Sequence, residues 1–432
     1  MSNAAFKMPE HSRRAALNDE VHARPPVRLE GGWQVVYLAV RHAPHERDAH
    51  RDGFRGIAKS HGAEVPAGAD HAIVSGPAGL LLKWEGHSEF TGYTFLAPGG
   101  QSAAPEALLD RAGWSKAATS LPGEVFVAVS LDLVPFEGAS PPPKAFESDA
   151  PTVLGGAIAE GNAWAYTDLR IREDGFTRFL VLNRAMGPGQ AGRMVQRLLE
   201  IETYRMMALL AFPVARGCAS RLAELEAALR ALVERISAAK SEDEASLLDD
   251  LTRLAVRVEH LQSETGFRFE ASEAYEALVA RRLAELRELR IPGLSPIEEF
   301  LNRRLAPAMA TCRSTSRRIA NLAARLARAS AMLRTRVDIA REVQNQQLLA
   351  AMNRRGRLQL RLQQAVEGLS VVVITYYGVS LAGVLAKAAV AAGWGNIDPD
   401  ITMGLVAPII AGAVFFIARR ARRALTQDEG SA

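Results

Sequence analysis

Two apolar stretches near the C-terminal end constrain this chain more than any other feature of its sequence. Leu369–Ala386 and Ile401–Ala418 are each 18 residues long and contain no formally charged residue. As helices with a rise of about 1.5 Å per residue, each would span roughly 27 Å, close to the roughly 30 Å of a bilayer's hydrocarbon core. The sequence therefore predicts a two-helix transmembrane hairpin at 369–418. A buried hairpin of a soluble protein is the less favoured alternative.

The charges around these stretches predict their orientation. Four arginines precede the first stretch and four follow the second, whereas the connection Gly393–Asp400 contains Asp398 and Asp400 and no basic residue. Because basic flanks stay on the cytoplasmic side, we expect a bacterial inner-membrane protein with both termini in the cytoplasm. Met1–Arg14 has no apolar core, which predicts no cleaved signal. The flanking arginines are Arg354, Arg355, Arg357, Arg361, Arg419, Arg420, Arg422 and Arg423.

The region before the first stretch has the pattern of a long basic stalk helix, predicted at 307–368 and beginning near Pro307. Between Arg303 and Arg361 there are 14 Arg, no Lys and two acids. Apolar residues recur three and four positions apart, as in a helix that packs along one coiled-coil-like seam. These positions are Ile319, Leu322, Leu326, Ala329, Leu333, Val337, Ala340, Leu348, Met352, Leu358, Leu362, Val366 and Leu369.

The partner expected for this stalk is the acidic segment that precedes it. Arg221–Glu299 contains 17 acidic and 11 basic residues, in helices predicted at Arg221–Lys240, Asp243–Gly266 and Phe269–Arg290. Opposite charges and apolar faces should bring these helices onto the stalk. The competing interpretation is a nucleic-acid surface, but Leu301–Ile374 has no aromatic residue on which bases would stack. We therefore expect no nucleic-acid partner.

The first part of the chain has short β-favouring runs separated by Gly and Pro. We predict an α+β membrane protein: an α/β cytoplasmic domain (1–185), an acidic helical domain (186–306), the stalk, the transmembrane hairpin and a basic cytoplasmic tail (419–432). Further helices are predicted at Pro44–His61, Pro105–Thr119 and Gly189–Phe212. The predicted strands are Trp33–Val40, Ala72–Val74, Leu80–Glu85, Glu89–Leu96, Val125–Leu133, Trp164–Arg172 and Phe176–Asn183.

Histidines and carboxylates in this first part offer two weak metal candidates. His42, His45 and His50 could share one side of a helix, although their uniformly polar surroundings favour a solvated helix start. If Leu82–Phe90 stays extended, Glu85, His87 and Glu89 share one face and could bind a divalent cation or act in acid–base chemistry. The more ordinary interpretation is the solvent-exposed face of a half-buried sheet. We therefore expect no cofactor, with a divalent cation at Glu85, His87 and Glu89 as the alternative.

Motifs for known reactions are missing from the sequence. There is no GxxxxGK[ST], GxSxG or HExxH pattern. Gly187–Gly192, between a predicted strand and a predicted helix, resembles a phosphate-binding turn. No Lys, Ser or Thr stands at the start of that helix, which favours a plain strand-to-helix turn. We therefore expect a protein that is not an enzyme.

Polar residues in the first apolar stretch fall on one helical stripe. Ser370, Tyr377, Ser380 and Lys387 lie seven, three and seven positions apart, and Gly383 lies at the edge of the stripe. They are candidates for lining a water-filled path in an oligomer. Ordinary helix packing, with Lys387 reaching the outer interface, is the alternative. Lys387 would oppose cations in such a path.

Several longer stretches resemble an uncharacterised bacterial family of predicted membrane-anchored proteins. They are Leu17–Pro25, Leu82–Phe90, Gln344–Arg355 and Leu358–Ser370, the last leading into Tyr376 and Tyr377. The resemblance covers nearly the whole chain and implies an inner-membrane location without an activity.

The layout is also distantly similar to that of CorA-type divalent-cation transporters, which are pentamers with a stalk helix and two C-terminal spans. Their outer loop carries Gly-Met-Asn after the first span. Here the corresponding place is Gly393-Trp-Gly-Asn, in which Gly395 and Asn396 echo that motif. Asp398 and Asp400 complete the outer-loop candidates.

Two hypotheses of different classes follow. The first is a membrane-anchored homo-oligomer with a large cytoplasmic domain for sensing or scaffolding, whose one certain partner would be the lipid bilayer. The alternative is a CorA-like oligomeric ion transporter or channel, a pentamer by analogy, in which the first transmembrane helix lines the pore.

Overall fold

The computed structural model describes residues 10–22, 25–99, 104–138, 146, 152–239, 243–393 and 398–428. The chain divides into two compact units. The sheet unit comprises 1–238 and 249–330, and the C-terminal unit comprises 239–248 and 331–432. The five-domain division made from the sequence is finer than this one and stays a prediction.

The described part of the sheet unit contains one nine-stranded mixed sheet with the order β2-β3-β4-β1-β5-β8-β7-β6-β9. Neighbouring strands are antiparallel except β5 and β8, which are parallel. The strands are β1 Trp33–Arg41, β2 His71–Ser75, β3 Leu81–Gly86, β4 Phe90–Pro98, β5 Glu124–Pro135, β6 Leu154–Ile158, β7 Ala163–Ile171, β8 Thr177–Asn183 and β9 Leu289–Arg290.

Helices α1 to α4 are interspersed with the strands, and the chain after β8 is mostly helical. This arrangement confirms the mixed α and β architecture predicted from the sequence. They are α1 Arg14–His22, α2 Arg47–Ser60, α3 Pro105–Arg111, α4 Trp114–Ala118, α5 Pro188–Leu209, α6 Ala211–Gly217, α7 Ala219–Ala238, α8 Glu244–Leu286, α9 Ile297–Ala391 and α10 Pro399–Asp428.

The two faces of the sheet carry different side chains because residues alternate along a strand. On one face, residues such as Val36, Trp84 and Phe95 pack against Phe54 of α2 and Trp114 of α4 in the main apolar core. The opposite face of β1, β3 and β4 carries Tyr37, Lys83 and other polar side chains, and α5 covers it. This second face holds the cavity described below.

Two strands, β6 and β9, were not predicted from the sequence because they contain no run of β-branched residues. β6 reads Leu-Gly-Gly-Ala-Ile and pairs with β7 and with the two-residue β9. Its glycines are required by crowding: a Cβ on Gly155 would lie 2.7 Å from the carbonyl oxygen of Ala165, and a Cβ on Gly156 would collide with the Glu288 side chain. Strand propensity cannot register such long-range contacts.

The acidic helices do pack on the basic helix, as their charges predicted. Arg318 of α9 binds Glu226 of α7, with its Nη2 2.8 Å from Oε2, and this ion pair holds the pKa of the Glu226 carboxyl below its usual value. Arg313 of α9 pairs in the same way with Glu276 of α8. Apolar positions of the predicted seam, including Ile319, are buried between these helices.

Two helix boundaries predicted from glycine and proline were wrong. α8 is one helix rather than two, because a glycine costs an internal turn only about 1 kcal/mol and Thr265 and Phe269 are buried on either side of Gly266. α9 begins at Ile297 rather than near Pro307. The Glu288 carboxylate accepts hydrogen bonds from the backbone N–H groups of Ile297 and Glu298, which fixes the earlier start.

The C-terminal unit pairs the end of α9 with α10. α9 and Pro399–Arg420 are long and apolar enough to cross a membrane. They approach closely at two glycines of α9: a Cβ on Gly378 would lie 2.9 Å from Cγ2 of Ile410, and Gly383 lies against the Met403 side chain. Small residues at such contacts let helices pack backbone to backbone.

Candidate functional site

A cavity of about 260 Å³ lies in the sheet unit between the sheet and α5. Strand pairing places Tyr37 of β1, Thr94 of β4 and Lys83 of β3 in one row across its floor. Val27 and Leu29, from the segment before β1, add apolar wall. Because ligand sites are usually concave, partly apolar and furnished with a few convergent polar groups, this cavity is the candidate binding site of the sheet unit.

A chain of polar contacts lines the cavity and links three elements. Lys83 Nζ lies 3.0 Å from Glu85 Oε1 and donates to Gln196 Oε1 of α5 at 3.4 Å. Gln196 Nε2 donates to Glu200 Oε1 at 2.7 Å, and Glu200 pairs with Arg282 of α8. Lys83 is 4% exposed, so these partners rather than bulk water accept the hydrogen bonds of its ammonium group.

Burial and charge set the protonation of the groups around the cavity. Burial lowers the pKa of Arg282, but the Glu200 carboxylate outweighs it and the net shift is upward. Burial raises the pKa of the Tyr37 and Tyr204 phenols above the ordinary value. These shifts favour a charged guanidinium at Arg282 and neutral phenol hydroxyls at Tyr37 and Tyr204.

The predicted Glu85–His87–Glu89 face does not form. β3 ends at Gly86, and residues 87–89 make the turn into β4, so the extended geometry assumed from the sequence was wrong. Glu85 lines the cavity beside Lys83, the His87 ring stacks on Phe90 with 4.3 Å between centroids, and Glu89 pairs with Arg268 of α8. No group of three or more His, Cys, Asp or Glu among the described residues is arranged to hold a metal ion.

The histidines before α2 are placed differently from expectation. His42 and His50 are buried and stacked with 4.3 Å between ring centroids, whereas His45 is exposed. His42 Nε2 lies 2.8 Å from Thr91 Oγ1, and His50 Nδ1 lies 2.9 Å from the Tyr93 hydroxyl. The solvated helix start favoured from the polar sequence was therefore wrong for these two side chains, which are part of the packed interior.

The glycine-rich turn between β8 and α5 has the spacing G-x-G-x-x-G, at Gly187, Gly189 and Gly192. The backbone of Val27 lies against its third glycine, Gly192, and leaves no space for a Cβ there. Leu29 N also donates to Pro188 O at 3.0 Å. The glycine at 192 is thus explained by the crossing of the segment before β1 over the start of α5.

The polar stripe of the first apolar stretch lies on the side of α9 away from α10. Tyr377 is 67% exposed, Ser370 and Lys387 are also exposed, and Ser380 is half-buried. Gly383, at the edge of the stripe, is buried against Met403 of α10, and Ala386 is also buried. The Ser370 hydroxyl donates to the carbonyl oxygen of Val366, one turn earlier in the same helix, at 2.9 Å.

The outer-loop candidates are described only in part. Asp398 precedes α10 and acts at its start: its Oδ1 accepts the Asp400 N–H at 2.9 Å, and its carbonyl oxygen accepts the Thr402 N–H at 3.1 Å. Asp398 and Asp400 therefore belong to the first turn of the helix. Gly395 and Asn396 lie outside the described residues.

Residues 9–425 match a family described as "Protein of unknown function (DUF3422)". The chain belongs to the DUF3422 family. This confirms the resemblance to an uncharacterised family, and the match supplies no activity. Among curated proteins, none matches the chain. The similarity to CorA-type transporters rests on layout alone.

Sequence reasoning missed most of the cavity in this DUF3422 protein. One signal was present: Lys83 interrupts the apolar β3 two positions before Glu85, which places both on one face of the strand. A second signal was the spacing of Gln196, Glu200 and Thr203, which puts three polar side chains on one side of α5. That these two faces meet depends on the pairing of β3 with β4 and on the packing of α5.

Proposed function

We propose that this DUF3422 protein is anchored in a bacterial inner membrane by the end of α9 and by α10, and that it assembles as a homo-oligomer. Its cytoplasmic part senses or scaffolds and carries out no reaction. The membrane anchor is supported by the length and apolar character of the two helices. The basic flanks support a cytoplasmic location of both termini.

The proposed homo-oligomer is supported by one observation, an exposed apolar stripe on α9 that begins before the membrane-spanning stretch. Leu348, Met352, Leu362 and Val366 are 57–67% exposed and fall on the same side of the helix. The side continues into the membrane stretch through Leu369 and the polar stripe. Lipid can cover it only within the membrane, so upstream of Leu369 a second copy of α9 would remove it from water.

The test compares two double variants of identical chemistry. Leu348→Gln/Leu362→Gln changes the stripe, whereas Leu349→Gln/Leu360→Gln changes leucines of similar exposure on an adjacent face of α9, about a third of a turn away. Leucine and glutamine have similar helix propensities, so the helix itself is little affected. The measurement is the mass of the full-length protein in detergent and in nanodiscs.

We expect an oligomer for the wild type and for the 349/360 variant, and a shift to monomer for the 348/362 variant. A monomeric wild-type protein would contradict the assembly. Equal effects of the two variants would show that the stripe is not the interface.

Ion transport is the second candidate, and the side of α9 away from α10 favours it. Ser370, Tyr377 and Ser380 lie there, on the side that would face the axis of a pentamer or another ring. Liposome flux measurements test this candidate directly. Conduction should be lost in Ser380→Leu, and cation flux should rise in Lys387→Met because a positive charge is removed from the path. An oligomeric protein that conducts no ion would exclude this candidate and leave the anchor and the assembly in place.

A further inference from the structure

The cavity under α5 carries equal numbers of opposite charges. Lys83 and Arg282 face it as cations, and Glu85 and Glu200 face it as carboxylates. Each cation contacts one of the carboxylates, and Gln196 bridges the two pairs through its amide. A ligand with a single net charge would leave one of these groups uncompensated in a place with little water, which is costly.

A zwitterion avoids that cost because it has one end of each charge. Its carboxylate can bind a cation of the cavity and its ammonium can bind a carboxylate, so no protein charge loses its compensation. A ligand carboxylate can accept from Lys83, whose ammonium has three donors and uses two of them for Glu85 and Gln196. A ligand ammonium can donate to the second oxygen of Glu85 and to a remaining lone pair of Glu200, whose two oxygens already accept from Gln196 and Arg282. The neutral phenol of Tyr204 also lines the cavity and can serve either end.

The remaining wall and the volume limit the ligand's body. Val27, Leu29, Leu96, Val195 and Leu199 supply apolar surface to the cavity. The cavity volume of about 260 Å³ lies just below the roughly 300–1,000 Å³ that is typical of small-molecule pockets. This suits one small molecule with a short apolar side chain rather than a nucleotide.

From this combination we infer that the cavity binds a free amino acid, with its carboxylate at Lys83, its ammonium at Glu85 and Glu200, and an apolar side chain against Leu29 and Val195. The inference deepens the sensing role in the proposed function by giving it a ligand class. It does not depend on the assembly of α9.

The experiment measures the thermal unfolding of the full-length protein in detergent with each of the twenty L-amino acids. We expect at least one apolar amino acid, with L-leucine as the first probe, to raise the unfolding midpoint by about 2 °C or more at saturation. Its two half-analogues, 3-methylbutylamine without the carboxylate and 4-methylpentanoate without the ammonium, should not. Equilibrium dialysis with labelled leucine gives the affinity directly.

Two variants locate the binding. Leu199→Phe fills the cavity without touching its charges, and Leu289→Phe makes the same change at an exposed position of β9. Leucine binding should fall at least tenfold in the first and stay unchanged in the second. Lys83→Met should also lose binding, and the Leu199→Phe result stands independently if Lys83→Met fails to fold.

Three results would overturn the inference. They are no midpoint shift with any amino acid, an equal shift with the amine or the acid alone, and unchanged binding in Leu199→Phe. None of them bears on the mass of the oligomer, so a failure here is distinguishable from a failure of the proposed assembly. A protein without this ligand would retain the scaffolding form of the proposed function.

Discussion

Gly383 of α9 lies directly against Met403 of α10, and the contact leaves no space for a Cβ on the glycine. Gly378 meets Ile410 on the same side of α9. The small residue at 383 therefore serves the packing of the hairpin within one chain. A bulky change there tests the packing of the hairpin rather than a path between copies.

Gly383→Ala should be less stable than Gly404→Ala by about 1–2 kcal/mol, because the methyl group added at 383 must displace the Met403 side chain while alanine favours both helices equally. Gly404→Ala is the matched control, since no atom lies within 4 Å of a Cβ built at that position of α10. The measurement is unfolding of the detergent-purified protein by denaturing detergent. Equal stability of the two variants would contradict the packing described here.

Glu288→Ala should weaken the start of α9. The variant removes the acceptor of two backbone N–H groups, at 2.9 Å and 3.0 Å, and should cost about 1–2 kcal/mol of unfolding free energy. Glu298→Ala, an exposed change in the first turn, should cost less than about 1 kcal/mol through the helix dipole alone. Chemical denaturation followed by circular dichroism compares them, and a larger loss for Glu298→Ala would contradict the cap.

His50 should make the sheet unit less stable in mild acid. Burial, and then the nearby His42, lower the pKa of His50 from 6.5 to about 4. Above pH 6.5 the imidazole is neutral in both states. Between pH 6.5 and 4 the unfolded chain binds a proton that the folded protein does not, so the free energy of unfolding falls by on the order of 3 kcal/mol.

The variant that checks this pH dependence is His50→Asn, whose amide can still meet the Tyr93 hydroxyl. Its stability should vary less between pH 6.5 and 4 than that of the wild type. His260→Asn is the control, because the His260 side chain is 67% exposed. If both variants keep the wild-type slope, the loss of stability in mild acid comes from other groups.

Gly192→Ala should separate the segment before β1 from α5, because the new methyl group would collide with the backbone of Val27. Backbone cannot move aside as a flexible side chain can, so we expect a loss of about 2 kcal/mol or more. The variant should also make the segment formed by residues 25–30 accessible to protease. Gly189→Ala, whose Cβ would meet only Arg193 Nη1 at 3.5 Å, should be close to neutral. Similar proteolysis of both variants would contradict the close contact between Val27 and Gly192.

Local pattern was enough to predict several elements of this protein. An apolar run needs only its own length to indicate a span, and a short β-favouring run bounded by Gly or Pro is enough to indicate β1 or β4. The pairing of basic α9 with acidic α7 and α8 could also be predicted, because it follows from charge summed over long segments. Arg318 and Glu226 are one such pair.

The sequence by itself thus determined the helices long enough to span a membrane, most of the strands, and the sign of the net charge on the surfaces of α7, α8 and α9. Only the tertiary structure decided that His50 is buried, that Glu288 starts α9, and that Lys83 and Gln196 meet across a cavity. The physical reason is distance along the chain: these contacts join residues that strand pairing and helix packing bring together, and no local spacing encodes them.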